Sequence, residues 1–155
     1  MLVAELAAGS GRSSALPRDV LHEISDGVRS VAEAKARKLA LTSGLPAPIW
    51  NARLFDRCGR FVASPDAWFR DVGMAWEIDS YEYHLAPADY ARTLDRRSAM
   101  MAEGIVVVHT LPSKLDRRAA EVLIELRSNY TQAGLRPRPP VLALPPDETN
   151  GTFAR

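Results

Sequence analysis

Lysine is scarce in this chain. Of its 20 basic residues only Lys35, Lys38 and Lys114 are lysines, and the rest are arginine, a bias that codon usage explains. Cysteine is scarcer still. A lone Cys58 excludes an internal disulfide and a cysteine-rich zinc site. No apolar run approaches the roughly 18 residues of a membrane span. The opening MLVAELAAGSGR lacks the basic flank and apolar core of a signal peptide, so a cytoplasmic protein is expected. Charge of one sign is missing too. A formal net charge of +1 provides no global basic field, so any nucleic-acid binding must come from a local patch.

The chain has 155 residues, 46% of them apolar, enough for one domain with a real core. Its start reads as the end of a helix followed by a Gly/Ser loop. Leu21, Ile24, Val28 and Val31 then recur at helical spacing, and Gly27 is expected to interrupt the stripe. Ser30 with Glu33 three residues on has the form of a capping box, restarting a helix that stops at Gly44. APIWNARLF and RFVASPDAW read as strands around the turn DRCG, and MAWEIDS as a third strand after FRDVG. Pro87 opens a helix and Gly104 closes it. IVVVHT reads as a strand buried on both faces. KLDRRAAEVLIELRSNYTQAG reads as one long helix with Ala119, Leu123, Leu126 and Tyr130 inward. The tail holds five of the eleven prolines and is expected to be extended and partly disordered. Three meandering strands, a helix, a buried strand and a helix predict an α/β fold with a mixed sheet flanked by helices.

The chemistry gathers in PDAWFRDVGMAWEIDSYEYH, Pro65 to His84. A loop of Arg70 to Gly73 sets Phe69 opposite Met74 and Asp66 opposite Glu77. Glu77 and Asp79 are two apart and share a strand face. In this register three carboxylates converge on one side of the sheet. A one-residue slip would undo it. Like charges opposite each other destabilise a sheet, so the acids either reach solvent or bind a cation. Clustered oxygen ligands suit Mg²⁺ or Mn²⁺, which take phosphate as a further ligand. His84, five residues past Asp79, is placed to act as a general base or to orient a water. An exposed strand face and a turn-capping Asp66 are the plainer reading of the same acids. Arg92 and Arg96 at i and i+4, with Arg97 beside them, make a basic strip that a DNA backbone would need. Pairing with Asp89 and Asp95 on a solvated helix face is its plainer reading. Lys114, Arg117 and Arg118 form a second, weaker basic group.

SVAEAKARKLALTSGLPAPIWN, GRFVASPDAWFRDVGMAWEIDSYEYH and DRRSAMMAEGIVVVH together resemble a domain related to the very-short-patch-repair endonucleases. That domain belongs to the PD-(D/E)XK, or restriction-endonuclease-like, superfamily. It is similar to a version common in actinobacterial proteins of unknown function, often joined to a winged helix resembling abortive-infection antitoxins. The resemblance spans about Val28 to His109. It implies a restriction-endonuclease-like core over residues 28–133, an N-terminal helical remnant or linker over 1–27, and the Pro-rich tail over 134–155. It implies Asp66 as the central metal-binding acid and Glu77 as the second acid of the motif. Asp79 falls where the superfamily usually has lysine. His84 matches the histidine of the repair enzymes, and Glu33 an acid on the first core helix. Asp95 with Arg96 or Arg97 matches a recurring pair, and His109 stands where relatives often have arginine. DNA is the implied partner, with a fused or separate winged-helix region as another.

Two functions follow as expectations. One is a Mg²⁺-dependent endonuclease domain hydrolysing DNA phosphodiesters, with Asp66, Glu77 and Asp79 on the metal, Glu33 and His84 assisting, and Arg92, Arg96 and Arg97 on the backbone. The other is a catalytically inactive nuclease fold that binds DNA or protein within a toxin–antitoxin-like regulator. The lysine missing at Asp79 points toward the second.

Overall fold

A computed structural model describes residues 15–79 and 86–146, with side chains from Gly27 onward. The first helix, α1 (Ala15–Thr42), runs unbroken through Gly27. Glycine in a helix interior costs only about 1 kcal/mol against alanine, too little to end a helix of this length. The expected interruption and the capping box at Ser30 are therefore corrected, since Ser30 lies mid-helix. The buried face is also different. Ala32, Ala36 and Ala40 face inward at spacing four, whereas Val31 is 55% exposed. Small side chains let the helix backbone approach the sheet closely. The helix ends as expected at Gly44, which takes the left-handed φ of 75°.

Each of the first two expected strands is broken in the middle. APIWNARLF becomes β1 (Ile49–Trp50) and β2 (Arg53–Phe55), parted at Asn51, whose φ is +54°. RFVASPDAW becomes β3 (Phe61–Ala63) and β4 (Ala67–Phe69), parted around Pro65, which has no N–H to give a ladder. The two breaks lie side by side, so the hairpin bends as a unit. Its near half joins β5 (Met74–Ile78) and β6 (Val106–Thr110) in a four-stranded sheet of order β1-β4-β5-β6. Its far half pairs with a strand from the tail, β7 (Leu142–Leu144), in a second sheet of order β3-β2-β7. The tail is thus ordered over these residues. Arg138 donates to the Arg70 carbonyl at 2.6 Å and helps seat it.

Helix α2 (Pro87–Ala102) connects β5 to β6, which pair in parallel. Pro87 and Gly104 bound it as expected, with Gly104 at φ 81°. The long C-terminal helix is instead two, α3 (Pro112–Arg117) and α4 (Ala119–Gly134), split where Arg118 leaves helical geometry at φ −138° and ψ 41°. The buried residues of α4 are Val122, Leu126 and Ala133 rather than the full expected stripe.

The larger sheet is covered on both faces. Ala67, Phe69, Met74, Trp76 and Ile78 pack with α1, α3 and α4. Trp68 and Ala75 pack on the other side with Met100 of α2 and with Leu54 and Ala63 of the second sheet. The fold is a mixed α/β structure with a mixed sheet and flanking helices. No described helix is long and apolar enough to cross a membrane.

Candidate functional site at the end of the larger sheet

Strands β4 and β5 pair in the expected register, Phe69 opposite Met74 and Ala67 opposite Trp76. That register brings Asp66, just before β4, beside Glu77. The alternation along β5 then decides which face the acids take. Met74, Trp76 and Ile78 point into the α1 and α4 side. Ala75 and Glu77 point to the α2 side. Glu77 sits opposite His109 of β6 in the parallel pairing. Helix α2 crosses above them and contributes Thr93 and Arg96, while Arg29 reaches in from α1. These residues, with Ile78 and Asp79, line a cavity of about 70 Å³.

Two carboxylates are deeply buried there. Glu77 is 2% exposed and Asp66 6%. Asp66 Oδ2 accepts from the Ile78 N–H at 2.6 Å, which fixes the carboxylate across the strand pair. Glu77 Oε2 accepts from Arg96 Nη2 at 3.3 Å. Arg96 Nε stands 3.1 Å from Glu77 Oε1, yet Oε1 has no hydrogen bond. Burial first, and then the charge of Asp66, push the Glu77 carboxyl up to about 8 against the opposing charge of Arg96. At neutral pH Glu77 therefore holds a proton beside Asp66.

His109 is the second unusual group. Both its ring nitrogens are buried without a hydrogen-bond partner. Asp79 Oδ2 lies 3.9 Å from Nδ1. Burial pushes the imidazole below its ordinary value, the Arg97 charge adds to this, and Asp79 opposes it. The ring is therefore neutral, with a lone pair available at a site where buried polar atoms normally find partners.

The sequence-predicted residues separate under this geometry. Asp66, Glu77, Asp79 and Arg96 come together around the cavity. Arg92 does not join them. It is exposed and pairs with Asp89 one turn back. Arg97 is exposed, and its charge helps to lower the His109 imidazole. Glu33 stands outside the cavity lining. Its Oε1 accepts from Asn51 Nδ2 and from Arg37 Nη2, each at 2.9 Å. Burial raises its carboxyl, but the hydrogen bonds from Arg37 and Asn51 outweigh this and leave it below the ordinary value. Glu33 is a brace: Asn51 in turn donates its backbone N–H to the Asp66 carbonyl at 2.9 Å. His84 lies outside the described residues. Lys114 pairs with Glu125, and Arg118 with Glu121, away from the acids.

Sequence reasoning passed over Arg29 and Asn51, and noted His109 only as standing where relatives of the resembled domain often have arginine. Arg29 had a signal, since it is one turn before Glu33 on the same helix. His109 had one too, as a polar residue near the end of an otherwise apolar buried strand. Nothing local marks Asn51.

Among the described residues no three His, Cys, Asp or Glu side chains are grouped so as to hold a metal ion as they stand. Asp66 and Glu77 are the convergent pair, and Asp79 turns toward His109. The donor set nonetheless fits an oxygen-liganded divalent cation. The charge of Asp66 disfavours ionisation of the adjacent buried Glu77, Glu77 carries an unpartnered oxygen, and guanidinium groups supply the only counter-charges drawn close to the two among the described residues. In comparison with known proteins the chain matches no family model, no curated protein and no solved structure.

Proposed function

We propose that this chain is a divalent-cation-dependent endonuclease-like domain that hydrolyses DNA phosphodiesters at the Asp66–Glu77 site. The observation that carries the reading is the burial of these two carboxylates side by side, one with an unpartnered oxygen. A structural pair would be cheaper as apolar residues, because burying charge costs more than an ion pair returns. The resemblance to the PD-(D/E)XK superfamily supports the same assignment and adds Mg²⁺ or Mn²⁺ as the ion.

Asp66 and Glu77 would hold the cation, with Asp79 within reach at the cavity rim. Such an ion stabilises charge developing on a phosphodiester and acidifies water. The remaining work falls to this chain's own groups. His109 presents a neutral nitrogen lone pair to a water hydrogen, the orienting role that lysine would otherwise fill. Arg96 faces both oxygens of Glu77, and Oε1 still lacks a hydrogen bond. Thr93 lines the cavity, with its hydroxyl donating to the Asp89 carbonyl at 3.1 Å. Asn51 and Glu33 hold the Asp66 backbone.

A DNA cleavage assay with Mg²⁺ or Mn²⁺ tests the reading. Wild type should cut, and Asp66→Asn and Glu77→Gln should lose at least ~100-fold in rate. No cutting across linear, nicked, mismatched and single-stranded substrates would overturn it. One observation favours the second reading, an inactive fold that binds DNA or protein. Arg29 and Arg96 already offset the acids, and by the resemblance Asp79 falls where the superfamily usually has lysine. That reading predicts DNA or protein binding that Asp66→Asn leaves intact.

A further inference from the structure

The two guanidinium groups at the acids are held very differently. Arg96 touches both oxygens of Glu77, at 3.1 and 3.3 Å, and is 38% exposed. Arg29 stands 3.5 Å from Asp66 Oδ1, and its side chain is 54% exposed against 8% for the side chain of Asp66. Asp66 is locked by the Ile78 N–H at 2.6 Å on its other oxygen. The carboxylate is therefore the fixed half of this pair and the arginine the movable half. The stem of Arg29 has a firm base. Ala32 and Ala36 bury the helix against the sheet, and Glu33, one turn on, is tied to Asn51. A long side chain on such a base can swing at the cavity mouth without moving the helix.

A divalent cation on Asp66 would take up the oxygen that Arg29 faces. Two cations cannot share that position, because their repulsion in a low-dielectric cavity is large. We propose that Arg29 is a displaceable counter-ion: it occupies Asp66 in the cation-free protein, leaves when a divalent cation binds, and then contacts a phosphate of the bound DNA. The exchange rests on the divalent-cation reading of the site. Its value is that it keeps the mouth closed to phosphate until the ion is in place. Guanidinium suits both positions, since its planar fork matches carboxylate and phosphate alike.

The test is calorimetric titration of the full chain with MnCl₂, without DNA. Arg29→Gln should bind Mn²⁺ about threefold to tenfold more tightly than wild type, the change that loss of one partly exposed competing ion pair provides. Arg29→Lys keeps the charge and should stay within about twofold of wild type on the same scale. Asp66→Asn should abolish the binding, and the surface control Arg57→Gln should leave it unchanged. Equal or weaker Mn²⁺ binding by Arg29→Gln, with Asp66-dependent binding in wild type, overturns the exchange and leaves the cation site standing. No Mn²⁺ binding in either protein overturns the cation site itself. Binding by Arg29→Gln alone supports the exchange in its strongest form.

A second readout separates exchange from simple repulsion. Fluorescence anisotropy with a 20-base-pair labelled duplex measures the salt dependence of DNA affinity. With Ca²⁺ present, Arg29→Gln should lose about 0.9 from the slope of log affinity against log salt, one phosphate contact's worth. Without divalent ions the two slopes should coincide, because Arg29 is then engaged by Asp66. A slope difference in the absence of the ion overturns the exchange.

Discussion

Arg96 of α2 and Glu77 of β5 meet across the space between helix and sheet, Nε 3.1 Å from Oε1. The pair is unequal. Glu77 is almost fully buried, and its carboxyl is pushed up to about 8, chiefly by burial and then by Asp66. Below that value Glu77 is neutral and has little need of a counter-charge. Above it, the same carboxylate without Arg96 would be a buried unpaired charge.

Arg96→Met should therefore destabilise the protein more at pH 9 than at pH 6. Near pH 9 the loss should be about 3 kcal/mol, the cost of stranding a buried charge. Near pH 6 it should be about 1 kcal/mol, that of an ordinary hydrogen bond. Urea unfolding at the two pH values reads both numbers. Equal losses would mean that Glu77 has the same charge at pH 6 and pH 9.

Glu77→Gln carries the complementary prediction. The folded pKa of Glu77 is raised from 4.5 to about 8, so between these values the folded chain binds more protons than the unfolded one. Stability from this group is complete below pH 4.5 and is lost as pH rises through about 8. The slope cannot exceed about 1.4 kcal/mol per pH unit for one proton. Glu77→Gln should flatten this part of the stability profile and should be more stable than wild type at pH 9. A profile with the same slope in both proteins would place the titration elsewhere.

The acid site was readable because its two ingredients are local. The turn Arg70 to Gly73 sets the β4–β5 register, and period-two alternation then carries Asp66 and Glu77 to one face. The bends were not readable. Proline at position 65 marks one break, but the matching break at Asn51 depends on a left-handed φ imposed by the pairing of the two strands. The tail strand is the same case. Its pairing partner, β2, lies about 90 residues earlier in the chain, and nothing in a proline-rich segment announces a partner at that distance. His109 enters the site through the parallel β5–β6 register, again a long-range fact. Arg92 is a case of the converse kind. Helical spacing groups it with Arg96, but α2 turns Thr93 and Arg96 toward the sheet and leaves Arg92 outside.

Asn51 should prove to be a brace for Asp66. It holds a φ of +54°, accepts the Ser64 hydroxyl on its carbonyl at 3.4 Å, and donates to both Glu33 and the Asp66 carbonyl. Asn51→Ala loses the side-chain bond and puts a less tolerant residue at positive φ, for a loss of about 2 kcal/mol. Asn51→Gly loses the bond but removes the backbone penalty, so it should cost only about 1 kcal/mol. Thermal unfolding of the two variants gives the order. A more stable alanine variant would show that the left-handed conformation contributes nothing.

Gly73 links the acid hairpin to the tail. Its φ is +68°, and a Cβ built there would lie 2.3 Å from Pro139 Cδ and 2.4 Å from Pro139 Cγ. Gly44 provides the comparison, with φ +75° and nothing within 4 Å of a Cβ. Gly44→Ala should therefore show the backbone penalty alone, about 1 kcal/mol. Gly73→Ala adds a clash with a proline ring that has no flexible end to retract, for a total of about 3 kcal/mol. The loss should be local as well as global. If Pro139 is pushed away, Leu142–Leu144 lose their place beside β2, and their amides should exchange with solvent faster while those of β5 and β6 stay protected at equal global stability. Matched exchange in both segments would show that the tail strand is held by its pairing with β2 and owes nothing to the packing of Pro139 on Gly73.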